Sequence, residues 1–134
     1  MTHATRVRHL RTRAQFQVLL GTRAVARTAH FALHRLTAPT QTPDGASLFA
    51  PAGTVWLGAM TPKRWARRAV TRNAIRRQVY AVAQNLMPVL STGAHLVRLR
   101  SAFAPAQFPS ARSDALKRAV RAELLQLFAP GGIA

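Results

Sequence analysis

Between Lys63 and Arg77 the chain sets seven cations among fifteen residues, Lys63, Arg64, Arg67, Arg68, Arg72, Arg76 and Arg77, with no acid among them. The same stretch then runs into an apolar pattern of helical period: Ile75, Val79, Val82 and Leu86 fall on one stripe, and Pro88 ends it. Such a segment can bury only one flank. With Ile75 at zero and about 100° per residue, Arg72 lies near 60°, Arg76 near 100°, Tyr80 near 140°, Asn73 near 160° and Arg77 near 200°. One flank therefore packs on a sheet while the next shows Arg, Asn and Arg. An ordinary solvated face mixes signs, yet no acid occurs between Asp44 and Asp114. Arg64, Arg67 and Arg68 fall before or in the first turn, where they oppose the positive helix end unless phosphate is present. The pattern implies a polyanion partner.

The whole chain repeats the imbalance: 20 Lys+Arg against 3 Asp+Glu give a formal charge of +17 on 134 residues. Almost all the cations are arginines, whose planar forks suit phosphates and bases, although a GC-rich coding sequence also favours Arg. A hydrophobic fraction of 49% supports one packed domain spanning residues 1–134. Cysteine is absent, which excludes disulfides and Cys-based zinc sites. No apolar run approaches the ~18 residues that span a bilayer, and the expectation is a cytoplasmic protein without membrane contact. The basic N-terminus superficially resembles an organelle transit peptide, but the rest of the chain is equally basic.

Residues 1–11 are expected to be a basic arm that orders on contact. Thr12 and Gln15 form a capping box, Phe16, Leu19 and Leu20 follow at helical spacing, and Gly21 offers a left-handed close, so a helix is predicted over about 12–20. Alternation from Thr28 to Leu36 predicts a strand with Phe31 and Leu33 on one face and His30, Ala32 and His34 on the other. Residues 37–53 hold three prolines and read as a loop insertion. Val55 to Met60 is a second strand in which Gly58 marks close backbone approach. A hairpin joining these strands is the simplest topology. After the basic helix come a third strand at His95–Ser101 and a last helix, capped by Ser110 or Ser113, with stripe Leu116, Val120, Leu124 and Leu127. The order α-β-β-α-β-α predicts an α+β sandwich.

A self-contained active site is not visible. Asp44 sits in the loop, while Asp114 and Glu123 lie on opposite faces of one helix, so no carboxylate pair or two-metal clamp forms and Mg²⁺ binding by the protein alone is not expected. His30 and His34 are separated by roughly 13 Å of strand and cannot chelate one metal. Single histidines on strands, His95 included, read as surface or interface groups. Phe16, Phe31, Phe49 and Tyr80 are the aromatics that can meet unpaired bases, with Phe31 better placed in a core.

The motif Lys63-Arg64-x-x-Arg67-Arg68-Ala69-x-x-Arg72-Asn73-x-Ile75-Arg76-Arg77 resembles the signature of the bacterial ribonuclease P protein component. The resemblance covers roughly residues 6–127. It implies a small α-β sandwich like the second domain of ribosomal protein S5, with a left-handed β-α-β crossover against the usual rule. It also implies a role in assisting a catalytic RNA, which carries the chemistry and its Mg²⁺, to remove the 5′ leader of precursor tRNA. By match to the signature, Arg64, Arg67, Arg68, Arg72, Asn73, Arg76 and Arg77 would face the catalytic RNA. Phe16, His34 and Lys63, with Ala32 and Met60, would line the cleft for the leader. The implied partners are the catalytic RNA and precursor tRNA, with no protein partner evident. The chain departs from the family at Ala74, where a cation is usual, and in the length of the 37–53 loop. A ribosomal-type structural RNA-binding protein is the alternative, and a nucleoid-type DNA binder a weaker one.

Overall fold

The computed structural model describes residues 7–36, 49, 55–85, 93–103 and 114–129. The elements are β1 (Arg8–His9), α1 (Arg13–Leu20), β2 (Ala24–Arg27), β3 (Phe31–Leu36), β4 (Val55–Met60), α2 (Ala69–Asn85), β5 (Gly93–Leu99) and α3 (Asp114–Leu127). They form one five-stranded sheet in the order β1-β4-β5-β3-β2. The expected elements occur in the expected order, and two short strands, β1 and β2, are added. Residues 7–11 are thus not part of an arm. Arg8 and His9 pair in parallel with Trp56 and Leu57, and the Leu10 N–H donates to the Leu57 carbonyl at 2.9 Å.

The expected hairpin between Phe31–Leu36 and Val55–Met60 does not form. β5 lies between them, antiparallel to β3 and parallel to β4. β4, α2 and β5 make a β-α-β unit of neighbouring parallel strands, while β3 finds its hairpin partner in β2. The physical reason is burial on both faces. β5 carries Leu96 towards one side and Val97 and Leu99 towards the other, so it belongs in the middle of a covered sheet.

One face of the sheet packs on α2 and α3. Phe31, Leu33, Val55, Leu57, Val97 and Leu99 meet Ile75, Val79 and Val82 of α2 and Leu116, Val120, Leu124 and Leu127 of α3, all of them buried. Each such side chain contributes about 1.5–3 kcal/mol by leaving water. Leu86 and Pro88 lie outside the described residues, as do Ser110 and Ser113. Glu123 fastens α3 to the β2–β3 turn: its carboxylate accepts the His30 backbone N–H at 2.5 Å and the ring Nδ1–H at 2.8 Å. The other side of the His30 ring meets Phe103, with centroids 3.9 Å apart.

The opposite face is covered only in part. Leu10 and Leu19 bury Trp56, Ala94 and Leu96, with Phe16, Leu36, Phe49 and Met60 at the margin. The Thr12–Gln15 capping box is present and sets the start of α1. Gly21 closes α1 with φ −76°, an ordinary helical conformation rather than the left-handed one expected of it. The Thr22 hydroxyl donates to the Leu19 carbonyl at 2.7 Å and turns the chain into β2.

Candidate nucleic-acid interface

The interface is built around the corner where β4 passes into α2. Met60 ends β4, Thr61 and Pro62 follow, and Lys63, Arg64, Arg67 and Arg68 are exposed along the connection to Ala69. Two of the signature arginines brace this connection. Arg72 Nη1 donates to the carbonyls of Ala66 (3.1 Å) and Arg67 (2.7 Å), and Arg76 Nη1 donates to the Thr61 hydroxyl at 2.9 Å. The other Arg76 nitrogen, Nη2, donates to the Asn73 side-chain oxygen. Arg72 and Arg76 are half-buried, whereas Asn73 and Arg77 are exposed. The signature thus divides. Arg72 and Arg76 hold the loop that displays the other cations, and each keeps spare donors on the same flank. The wheel placed both beside the buried stripe, and that proximity is why they reach backbone and Thr61. Arg64 also lies over the Trp65 ring, 5.2 Å from its centroid.

No described carboxylate opposes this surface. Asp114 and Glu123 are both on α3, and Glu123 is engaged by His30. Seven cations on one connection and helix face, without counter-charge, repel one another unless a polyanion lies against them.

Beyond Met60, the surface continues onto the open part of the sheet. Register places Met60, Arg98, Ala32 and Arg27 side by side across β4, β5, β3 and β2, on the face that α1 partly covers. One row along, Gly58, Leu96 and His34 line up, and Phe16 leans over Gly58. A Cβ at position 58 would sit 2.8 Å from Phe16 Cε1 and 2.6 Å from Leu10 Cδ1, so the absence of a side chain is what admits the ring and Leu10 to the sheet. Phe16, Met60 and Arg98 are half-buried on this face, Arg27 is exposed at its edge, and Ala32 is fully buried beneath them.

Of the residues expected in the cleft, Phe16, Ala32, His34 and Met60 fall on this one face, Lys63 is exposed on the connection that follows β4, and two of them, Ala32 and His34, are buried rather than presented. His34 is 5% exposed, and both ring nitrogens are engaged. Nδ1–H donates to the Thr22 carbonyl at 3.0 Å, because a carbonyl can only accept. Nε2 is then the acceptor for the Arg98 Nε–H at 3.3 Å. Burial holds the His34 pKa below the ordinary imidazole range against the upward pull of the Thr22 hydrogen bond, and the charges of Arg98 and Arg27 add to the lowering. His34 and His95, expected as surface groups, are both buried, at 5% and 0%. Sequence reading missed Arg98 and Arg27. The available signal was a cation at 98 following Leu96 with strand period, on an otherwise apolar strand.

Of the other aromatics, Phe31 is fully buried. Phe49 stands against Trp56 with centroids 6.1 Å apart. Tyr80 stacks on His9 with centroids 3.8 Å apart, and its hydroxyl pKa is raised by burial against the opposing effects of a hydrogen bond to the Ala59 backbone and the Arg76 charge. Arg8 lies over Trp56, 5.7 Å from the ring centroid.

The architecture is that of a small mixed α+β protein that presents a cationic helix beside a half-open sheet. A Staphylococcus aureus RNase P protein has the same fold: the TM-score is 0.58 over 89% of this chain and 90% of that one, at 17% identity. Curated relatives extend the likeness to sequence. The ribonuclease P protein component of Ralstonia pickettii is 33% identical over 114 residues, covering 85% of this chain and 71% of the relative, and that of Bordetella petrii is 34% identical over 116 residues, covering 87% and 85%. Residues 5–123 match the model of the Ribonuclease P family, and the chain belongs to the family of bacterial ribonuclease P protein components. Such a component is part of a ribonucleoprotein endoribonuclease of tRNA processing.

Proposed function

We propose that the chain binds the catalytic RNA of ribonuclease P through the cationic connection and exposed flank of α2, and the single-stranded 5′ leader of precursor tRNA through the cleft. Bond breaking belongs to the RNA and its Mg²⁺; the protein adds affinity for substrate and charge neutralisation, and it works in the cytoplasm. Arg64, Arg67, Arg68, Asn73 and Arg77 supply direct RNA contacts. Arg72 and Arg76 supply both contacts and the bracing described above. Phe16 offers a stacking face to an unpaired base, and Lys63 stands at the mouth of the cleft.

The observation that carries this reading is the continuity of the two surfaces. Only Thr61 and Pro62 separate Met60 in the cleft from Lys63 at the start of the cationic run, and no described carboxylate lies on either. A substrate strand leaving the catalytic RNA can therefore pass into the cleft without meeting repulsion.

Reconstitution tests it. The purified protein is expected to cleave nothing specifically, and addition of the cognate RNA to give cleavage of the leader at low Mg²⁺. With ~6–10 phosphate contacts, affinity for the RNA should fall on a log–log salt plot with a slope of comparable size. Specific cleavage by the protein alone, or a flat salt response, overturns the proposal. Phe16→Ala is expected to weaken precursor binding and spare mature tRNA; equal losses for the two ligands would remove the cleft from the assignment.

A further inference from the structure

We propose that Arg98, its guanidinium oriented by the buried His34 imidazole, grips a backbone phosphate of the unpaired strand on the floor of the cleft, and that His34 is a positioning residue rather than a contact. The inference rests on the leader reading of the cleft and adds to it the ligand atom and the side chain that takes it.

The geometry gives each side chain one role. His34 is almost wholly buried beneath the surface, and its two nitrogens are committed to Thr22 and Arg98. It has no donor or acceptor left to offer a ligand. Arg98 is half-buried, between Ala32 and Met60 in the sheet register. Its Nε–H is used by His34, which leaves the two Nη groups at the far edge of the fork. A fork held through Nε presents that edge in one orientation, the arrangement suited to the two oxygens of a phosphate.

Charge points to the same ligand. Arg27 shares the floor, two strands away from Arg98 and on the same face, roughly 10 Å between backbones. Both guanidinium charges are felt at His34. The imidazole between them accepts a hydrogen bond but carries no negative charge in that role. Asp114 and Glu123 lie on α3, which packs against the other face of the sheet. Two cations therefore share a floor with no described counter-ion, next to a wall formed by an aromatic ring. A nucleobase alone would answer the ring; the cations call for the backbone that links bases.

The residues involved are far apart in the chain. Thr22, His34 and Arg98 come from the turn after α1, which the Thr22 hydroxyl ties to the Leu19 carbonyl, from β3 and from β5. The cation is thus registered to α1, the helix that carries Phe16, and the stacking wall and the phosphate grip keep a fixed offset.

The test uses the holoenzyme reconstituted from the full chain and its cognate RNA, with precursor and mature tRNA as ligands. Arg98→Gln is expected to weaken precursor binding about tenfold, the worth of one charge-assisted contact, and to leave mature tRNA unchanged. Single uncharged methylphosphonate linkages are then placed along the leader, each compared with its phosphodiester control. The wild type should lose about the same tenfold at one linkage, and Arg98→Gln should be indifferent to that substitution. His34→Leu should copy Arg98→Gln in both readouts, while His34→Gln, whose amide oxygen can accept from Arg98, should retain the wild-type pattern. Should His34→Leu fail to fold, the Arg98→Gln and His34→Gln variants decide the matter.

Wild-type precursor affinity for Arg98→Gln overturns the inference. So does a linkage sensitivity that survives in that variant, since the phosphate is then held elsewhere. Loss of the sensitivity in His34→Gln removes the positioning role. If Phe16→Ala still weakens precursor binding and spares mature tRNA in these outcomes, the cleft reading stands and only the phosphate grip falls. If the wild type itself binds precursor and mature tRNA equally, the cleft reading fails and takes this inference with it.

Discussion

Placing a methyl group at Gly58 is the most direct challenge to the cleft. The backbone there is not in the positive-φ region, so alanine can adopt it. The obstacle is space. The new Cβ would lie 2.6 Å from Leu10 Cδ1, 3.1 Å from Leu10 Cγ and 2.8 Å from Phe16 Cε1. Carbon atoms in contact sit about 3.5–4.0 Å apart, so both neighbours must withdraw by about 1 Å. Leu10 is buried at 6% and has little room to yield. Overpacking of this kind costs about 1–3 kcal/mol, and replacing a strand glycine returns about 0.5–1 kcal/mol. The net expectation for Gly58→Ala is a loss of about 1–2 kcal/mol, or roughly 4–8 °C in Tm for a chain of this length. Displacing Phe16 should also lower precursor affinity while mature tRNA binding holds. A double-mutant cycle with Phe16→Ala separates the two effects. If both act on the same ring, the affinity losses fall well short of additive. Thermal melts and equilibrium binding by the reconstituted holoenzyme supply the numbers. Unchanged Tm together with unchanged precursor preference would refute the claim that Gly58 exists to admit Phe16 and Leu10.

Three further expectations follow from the hydrogen-bond pattern. Arg72→Ala should cost about 1–2 kcal/mol in a denaturant melt, because the Ala66 and Arg67 carbonyls lose their donor, whereas Arg77→Ala should leave the melt unaltered and still reduce RNA affinity; equal melts for both variants would dissolve the division of the signature into braces and contacts. Glu123→Ala should destabilise by about 2–3 kcal/mol, since two donors of His30 are stranded beneath α3, and Glu123→Gln by less; a melt of Glu123→Ala matching the wild type would contradict this. Because the folded pKa of His34 is depressed, the unfolded chain binds more protons below about pH 6.5, so this residue's contribution is full above that value and is lost as pH falls towards the folded pKa. Stability measured from pH 7 down to 5 should therefore decline more steeply in the wild type than in His34→Gln; parallel curves would show that His34 does not titrate as described.

Much of the helical architecture was legible because it is local. The stripe Leu116, Val120, Leu124 and Leu127 is buried as its spacing requires, and so are Ile75, Val79 and Val82. Thr12 and Gln15 announced the start of α1 through chemistry contained in four residues. The sheet order was not legible, because pairing β5 between β3 and β4 depends on which strands can be covered on both faces, a property of the assembled molecule. β1 is two residues long and β2 is Ala-Val-Ala-Arg, so neither carries an alternation of bulky and polar groups. The cationic run was plain from spacing alone, but its division into braces and contacts required knowing that Thr61 and the Ala66 and Arg67 carbonyls lie within reach of Arg76 and Arg72. The assignment of His34 as a cleft contact comes from the family resemblance, not from strand period. The burial of His34 depends on α1 and Thr22, and its tie to Arg98 joins residues from separate strands.

The sheet order also governs when the molecule can exist during synthesis. Of the described strands β5 is the last to leave the ribosome, yet it occupies the middle of the sheet, with β4 and β1 on one flank and β3 and β2 on the other. Until residue 99 has emerged, the nascent chain consists of two strand pairs with nothing between them, and α2 has only part of a floor on which to lie. The cationic surface is therefore assembled late and all at once, after the most adhesive segment has already been exposed to the RNA-crowded surroundings of translation.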